Sequence, residues 1–340
     1  MQDGKDGFRW LLGWAALAVS LMAGTSVAAM VGPDAAKSAA GYPSRPVRLV
    51  VPFPPGSPSD ILARTIGEPL AQRLARTVVI DNRAGAGGLS GVELVAAAQP
   101  DGYTLVLGGT GALAISPGLR AAMPFNVARD FAPVTLAAAM PQMLVAGPQV
   151  PASSLAELVA LAKTSRAPLN FASGGTGTVA HLAGELFKNA AKIEATHIPY
   201  RGGTPAAVTE IIAGQVQFMF SGVAVLMPYV KSGRLKGIAV AAGKRSMLAP
   251  QLPTVIEAGL PGFTIEVWVG VLAPAQSPPA VIDKLNRELN ALLKSKEVQD
   301  RMLALGAEAA GGSPEQFRAF IAAETDKWRR SIRSANLKEE

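Results

Sequence analysis

Residues 47–53 (VRLVVPF) form an almost continuous apolar, β-rich run, the pattern of a strand buried on both faces. Residues 59–75 follow with apolar side chains at Ile61, Leu62, Ile66, Leu70 and Leu74, a helical spacing. A short strand at 77–80, a helix at 90–98 and a strand at 103–107 come next. Strand–helix alternation of this kind predicts a parallel sheet covered by helices. The pattern changes at 134–146, where two short apolar segments (134–139 and 143–146) flank Met140-Pro141-Gln142.

A second α/β series then begins. Ser154-x-x-Glu157 is a capping box opening a helix to about residue 164. Strands are expected at 169–172, 197–200, 218–220 and 235–241, and helices at 178–190 and 204–213, the latter with Thr204 as N-cap ahead of Pro205. Residues 264–273 form a further strand, Ser277-Pro278 caps a helix, and Ser313-Pro314-Glu315-Gln316 is a capping box that starts the last one. Two α/β units followed by a return segment imply two lobes joined by crossing strands. Lobe 1 is expected over 44–140 plus 263–340 and lobe 2 over 141–262.

The N-terminus reads differently. Lys5 and Arg9 precede a 13-residue apolar run at 10–22, and Val27-Ala28-Ala29 fits a small-x-small cleavage site. The run is short for a bilayer-spanning helix, which needs roughly 20 apolar residues, so an uncleaved membrane anchor is the lesser alternative. Residues 1–29 are therefore expected to be a cleavable export signal and 30–43 a flexible lead-in, which places the mature protein in the periplasm.

Composition narrows the function. The chain carries a net charge of +7, and the charges of Asp3, Lys5, Asp6 and Arg9 cancel within the signal. The densest basic stretch, Lys327-Trp328-Arg329-Arg330, sits in an amphipathic helical pattern beside Glu324 and Asp326, so no nucleic-acid partner is expected. With no cysteine, disulfides, thiol catalysis and Cys-ligated zinc are excluded. His181 and His197 are separated by a predicted strand boundary, and no metal is expected. The chain has no Gly-x-x-x-x-Gly-Lys-Ser/Thr loop and no Gly-x-Ser-x-Gly elbow, and Gly85-Ala86-Gly87-Gly88 lacks the full dinucleotide spacing; no cofactor is expected.

Loops after strands carry the remaining chemistry, because parallel sheets bind ligands outside the carboxyl ends of their strands. The first contains Phe53, Pro55, Gly56, Ser57, Ser59 and Asp60. Its small residues and the following helix N-terminus suit an anion; equally, it reads as a turn with Ser59 or Asp60 as N-cap. The second is Ser173-Gly174-Gly175-Thr176-Gly177-Thr178, with His181 one turn into the helix and no basic side chain in the loop. The third, Tyr200-Arg201-Gly202-Gly203, could fix a distal group of the ligand. Gly108-Gly109-Thr110-Gly111, with Thr110 as its candidate contact, is a fourth. Neutral loops facing one another describe a cleft, and no nucleophile–base pair accompanies them.

Taken in order, Tyr42-Pro-x-Arg-Pro-x-Arg-x-x-Val-Pro-Phe-Pro-Pro-Gly, Asn82-Arg-Ala-Gly-Ala-Gly-Gly, Asp101-Gly-Tyr-Thr-Leu, Ser173-Gly-Gly-Thr-Gly-Thr-x-x-His, Pro199-Tyr-Arg-Gly-Gly and Leu252-Pro-Thr-x-x-Glu-Ala-Gly-Leu-Pro-Gly resemble the tripartite tricarboxylate transporter receptors, also called Bug or extracytoplasmic solute receptors. The resemblance implies an α/β, two-lobed periplasmic binding protein of Venus-flytrap (type II-like) form, with the ligand cleft between the lobes. It implies a monomeric, non-enzymatic receptor that binds a small carboxylate and delivers it to inner-membrane transporter subunits. In the family's manner, Phe53, Gly56, Ser57 and Asp60 would clamp from one lobe. Ser173, Gly175, Thr176, Gly177 and His181 would clamp from the other, with residues 200–203 lining the pocket. This chain departs from the family pattern at Ser57, where a second Gly is common, and at Ser221-Gly222, where an Asp is common. A hydrolase of small acids and a transporter-independent signalling receptor of the same fold are the rival readings.

Overall fold

A computed structural model describes residues 41–200, 202–334 and 336–337. The expected signal at 1–29, residues 30–40 of the lead-in and Arg201 lie outside the described residues. Tyr42 is already part of the core, with its hydroxyl donating to Gly102 O at 2.6 Å.

The chain runs β1 (Val47–Val51), α1 (Pro58–Leu74), β2 (Val78–Asn82), α2 (Leu89–Ala96) and β3 (Thr104–Gly109). A π-helical turn (Gly111–Ile115) and two short helices, α3 (Ser116–Leu119) and α4 (Val127–Asp130), lead into the long β4 (Phe131–Ala146). The second series is α5 (Leu155–Thr164), β5 (Leu169–Ser173), α6 (Val179–Ala191), β6 (Ala195–Pro199), α7 (Gly203–Ile212), β7 (Phe218–Gly222), α8 (Val223–Lys231) and β8 (Lys236–Val240). The chain returns through β9 (Glu266–Pro274), α9 (Pro279–Leu293), α10 (Lys296–Ala304), β10 (Glu308–Ala309) and α11 (Pro314–Ser334). The hydrophobic pattern explains the layers. In β1, Val47, Leu49, Val50 and Val51 are all buried, as a strand covered on both faces requires. In α1, Leu62, Ala63, Ile66, Leu70 and Leu74 face inward, each large side chain contributing about 1.5–3 kcal/mol by burial.

Two sheets share one strand. The first runs β2-β1-β3-β9-β4, with β1 parallel to β2 and β3, and β9 antiparallel to both β3 and β4. The second runs β6-β5-β7-β4-β8, with β5 parallel to β6 and β7, and β4 antiparallel to β7 and β8. Strand direction then places the site. Since β3 and β4 are both antiparallel to β9, the carboxyl ends of β1 and β3 point the way β4 runs into the second sheet. Since β7, β5 and β6 run against β4, their carboxyl ends point back. The loops that follow these two sets of strands therefore confront each other across the changeover.

The two apolar segments expected at 134–139 and 143–146 are one 16-residue strand. β4 pairs with β9 as far as Pro141–Glu266 and with β7 from Gln142–Gly222 onward. A proline cannot donate to a ladder, and Pro141 falls where the strand leaves one sheet for the other. Gln142 N resumes pairing on Ile265 O at 3.1 Å, and Ile265 N donates to Ala241 O at 2.7 Å, forming a second crossing beside the first.

Three expected caps are shifted. Ser57, not Ser59 or Asp60, caps α1, because Pro58 takes the first helical position. Pro279 does the same for α9, leaving Pro278 at the cap and the buried Ser277 hydroxyl as the one such side-chain atom without a partner among the described residues. α7 is capped by Gly202, with Thr204 inside its first turn. The α11 capping box forms in both directions: Gln316 N donates to Ser313 Oγ (3.2 Å) and Ser313 N to Gln316 Oε1 (2.9 Å). α11 also ties the sheets together, since Ser331 Oγ donates to Leu182 O on α6 at 3.0 Å and Glu324 accepts from both Trp268 and Trp328 at 3.1 Å.

Candidate functional site

The loop after β1 is braced by a single carboxylate. Asp60 Oδ2 accepts from Gly56 N at 2.8 Å and from Arg64 Nε at 3.1 Å, and Oδ1 accepts from Asn82 Nδ2 at 3.0 Å. Asn82 donates as well to Phe53 O at 3.0 Å, so the end of β2 holds the start of the loop. Asp60 is only 2% exposed, and the Arg64 bond, together with those from Gly56 and Asn82, overcomes burial and holds its carboxyl down to about 2. α2 supports the loop from below: a Cβ on Gly91 would lie 2.9 Å from Pro52 Cα, so only glycine fits there.

These bonds sort the loop's donors. Gly56 N is spent on Asp60, Ser57 N on Pro54 O (3.2 Å), and Asp60 N on Ser57 Oγ (3.3 Å). The amides of Phe53 and Ser59 are left over, the second at the positive end of α1. Phe53 and Pro55 are exposed beside them.

The loops after β5 and β6 form one unit. Tyr200 N donates to Ser173 O at 3.0 Å and Gly203 N to Tyr200 O at 2.9 Å. A Cβ on Gly174 would come within 3.2 Å of Thr204 N, so residues 173–178 lie directly on the start of α7. Gly175 and Gly177 adopt φ of +133° and +77°, which L side chains rarely take. Thr178 caps α6, accepting from His181 N at 3.4 Å and donating to Gly175 O at 2.7 Å. His181 is buried and its Nδ1 accepts from Gly177 N at 3.1 Å; Gly175 N bonds Ser173 Oγ at 3.1 Å. The amides of Thr176 and of Val179 and Ala180 in the first turn of α6 remain as donors. Burial pushes both imidazoles below the ordinary histidine value, His197 to about 4 with help from neighbouring His181 and Lys188. Burial, then Glu210, raises the Tyr200 phenol.

The structure thus brings the sequence-derived residues into two groups at the confronting strand ends. Phe53, Pro55, Gly56, Ser57, Ser59 and Asp60 lie on one side, and residues 173–178, His181, Tyr200, Gly202 and Gly203 on the other. Thr110 is 2% exposed and committed elsewhere, accepting from Trp268 N at 2.7 Å and donating to Trp268 O at 3.3 Å. Site-setting residues that sequence reasoning left out are Arg64, Asn82 and His197. Asn82 opens one of the quoted motifs, and His197 lies three residues before Tyr200 on the adjoining strand. At the end of β7, Ser221 is buried with Gly222 beside it, so this edge carries no charge. Among the described residues no group of three His, Asp or Glu is placed to hold a metal ion, and no helix is long and apolar enough to cross a membrane.

Comparison with known proteins gives a consistent picture. Residues 62–337 match the family described as the tripartite tricarboxylate transporter family receptor. The chain is 36% identical to Protein BugT of Bordetella pertussis over 91% of its own length and 95% of BugT. Among solved structures, Rpa4515 of R. palustris with adipate is 32% identical, with a TM-score of 0.68 over 87% of this chain and 99% of that one. MatC of Rhodopseudomonas palustris with bound malate is 32% identical, with a TM-score of 0.64 over 86% and 100%. A TctC solute-binding protein from Polaromonas, without ligand, is 25% identical yet has a TM-score of 0.78 over 86% and 99%. The fold is that of a two-lobed periplasmic binding protein.

Proposed function

This chain belongs to the tripartite tricarboxylate transporter receptor family, and we propose that it is a periplasmic receptor that closes two lobes on a small dicarboxylate and hands it, unaltered, to inner-membrane transporter subunits. The observation that carries this reading is the confrontation of two strand-to-helix loops, one per lobe, whose internal bonds leave outward amides and two helix N-termini as donors. Phe53, Ser59, Thr176, Val179 and Ala180 supply those amides, and the Ser59 and Thr176 hydroxyls add to them. Hydrogen bonds to a charged acceptor contribute about 1.5–3 kcal/mol each, so four or five hold a carboxylate without a basic side chain in either loop.

The ligand class follows from charge. Relatives solved with adipate and malate hold dicarboxylates, and the neutral Ser221-Gly222 edge offers no acid to pair with an amine. The lobe boundaries fall at the crossings, near 141 and 265. Two sheets joined by β4 and the 265–266 crossing suit a hinge that closes on the ligand. Export by the N-terminal signal places this cycle in the periplasm. At the confronting ends the buried Ser173 hydroxyl, 2.7 Å from His197 Nε2, is tied back to its own loop at Gly175 O (2.9 Å), which favours a binder over a hydrolase. A thermal-shift panel of mono-, di- and tricarboxylates tests the reading: a true ligand at 100 times its dissociation constant stabilises by about 2.7 kcal/mol, and a panel in which no dicarboxylate shifts the transition overturns it.

A further inference from the structure

Two imidazoles stand behind the loop at 173–178. His197 Nε2 lies 2.7 Å from Ser173 Oγ. That hydroxyl donates its one proton to Gly175 O at 2.9 Å and accepts from Gly175 N at 3.1 Å. With that proton on Gly175 O, the His197 contact takes its proton from the ring, in the tautomer that donates through Nε2–H. His181 acts in the opposite sense, since its Nδ1 accepts from Gly177 N and its own proton sits on Nε2. The rings are stacked, with centroids 3.7 Å apart and planes 11° apart, and the Phe171 ring lies beside both, 5.0 Å from His197 and 6.3 Å from His181.

The surroundings favour this uncharged pair. From α6, Glu185 Oε1 lies 3.9 Å from His181 Nε2, and Lys188 is drawn off to Glu185 Oε2 at 3.0 Å and over the Phe171 ring. From β5 and β7 the neighbours are Phe171, Ser173 and Phe218, none of them charged. Burial disfavours a second proton on either ring, and a charge on one disfavours a charge on the other.

We propose that His197 is a positioning residue for binding: through the Ser173 hydroxyl it sets the Gly175 peptide, while the stacked His181 sets the Gly177 peptide. The two histidines thus fix successive glycines of one loop, and the Thr176 amide between them is presented in one orientation. This rests on the reading of 173–178 as a ligand loop, but the loop's geometry is measurable without a ligand.

The test is amide hydrogen exchange at Gly175 and Gly177 in the full-length, ligand-free protein, joined to titration with malate and adipate. His197→Phe keeps a stacking ring and removes the donor. It is expected to speed exchange at both glycines about tenfold and to weaken binding by a similar factor, the loss of about one hydrogen bond. His197→Gln returns an N–H to Ser173 and restores both to within about threefold. In a Ser173→Ala background, His197→Phe adds nothing further, whereas a role in packing alone makes the two changes additive. Wild-type exchange in His197→Phe, failure of His197→Gln to restore it, or additivity with Ser173→Ala overturns the proposal. If the wild type binds neither malate nor adipate, the dicarboxylate reading falls while the exchange data still decide the role of His197.

Discussion

Replacing Asp60 with Asn separates a brace from a ligand contact. The carboxylate satisfies three donors, Gly56 N, Arg64 Nε and Asn82 Nδ2, from a side chain that is 4% exposed. An amide of the same shape has one acceptor oxygen and an NH2 group that cannot accept. If the oxygen keeps Gly56 and Arg64, the NH2 opposes Asn82 Nδ2, and Asn82 must turn and give up Phe53 O. At least one bond to a charged acceptor is lost, worth about 1.5–3 kcal/mol. The Arg64 pair adds little, because Arg64 is 57% exposed and such pairs contribute about 0–1 kcal/mol. The expected cost of Asp60→Asn is therefore about 2 kcal/mol of ligand-free stability, read as a lower urea midpoint at unchanged slope, with faster amide exchange at Gly56. A direct ligand contact makes the opposite forecast: intact stability and weakened binding. An Asp60→Asn protein with the wild-type urea midpoint and wild-type exchange at Gly56 refutes the brace.

Gly175→Val is expected to abolish carboxylate binding in titration calorimetry, because a β-branched residue at φ +133° costs about 1–3 kcal/mol and turns the loop's peptides; binding within twofold of wild type contradicts this. Thr110→Val leaves Trp268 N buried without its partner, so stability by urea should fall about 1–3 kcal/mol while affinity stays within about threefold; the reverse pattern would make Thr110 a ligand contact. His197 has a folded value near 4 against 6.5 for the free side chain, so its contribution is full above pH 6.5 and is lost as pH falls through about 4. Urea midpoints measured between pH 7.5 and 4 should drop for the wild type and drop less for His197→Gln; parallel curves count against it. Small-angle scattering should show a smaller radius of gyration with saturating ligand, and an unchanged profile counts against hinge closure.

Much of this was legible in the sequence because the signals are local. The β-rich run ending in Val51, the period of α1 and the Ser313–Gln316 box are set by near neighbours, and each element lies within a few residues of its expected place. The continuity of β4 was hidden because Pro141 normally ends a strand, and what rescues it here is a change of partner that pairing alone reveals. The caps at Ser57, Pro278 and Gly202 moved by one to three residues because prolines and glycines fixed the first turns. The site loops could be found from their glycines, but their inner accounting could not. Which amides are spent on Asp60, Ser173 and His181, and which remain for a ligand, depends on contacts such as Asp60 with Asn82 and His197 with Ser173, 22 and 24 residues apart.

A receptor captures its small dicarboxylate and gives it back unchanged. The most direct measurement is to incubate the purified protein with malate and adipate, separate bound from free ligand, and identify both by mass spectrometry. The expected result is one dicarboxylate retained at one per chain and recovered intact after denaturation. A converted product, or retention of neither acid nor of any close dicarboxylate, contradicts it.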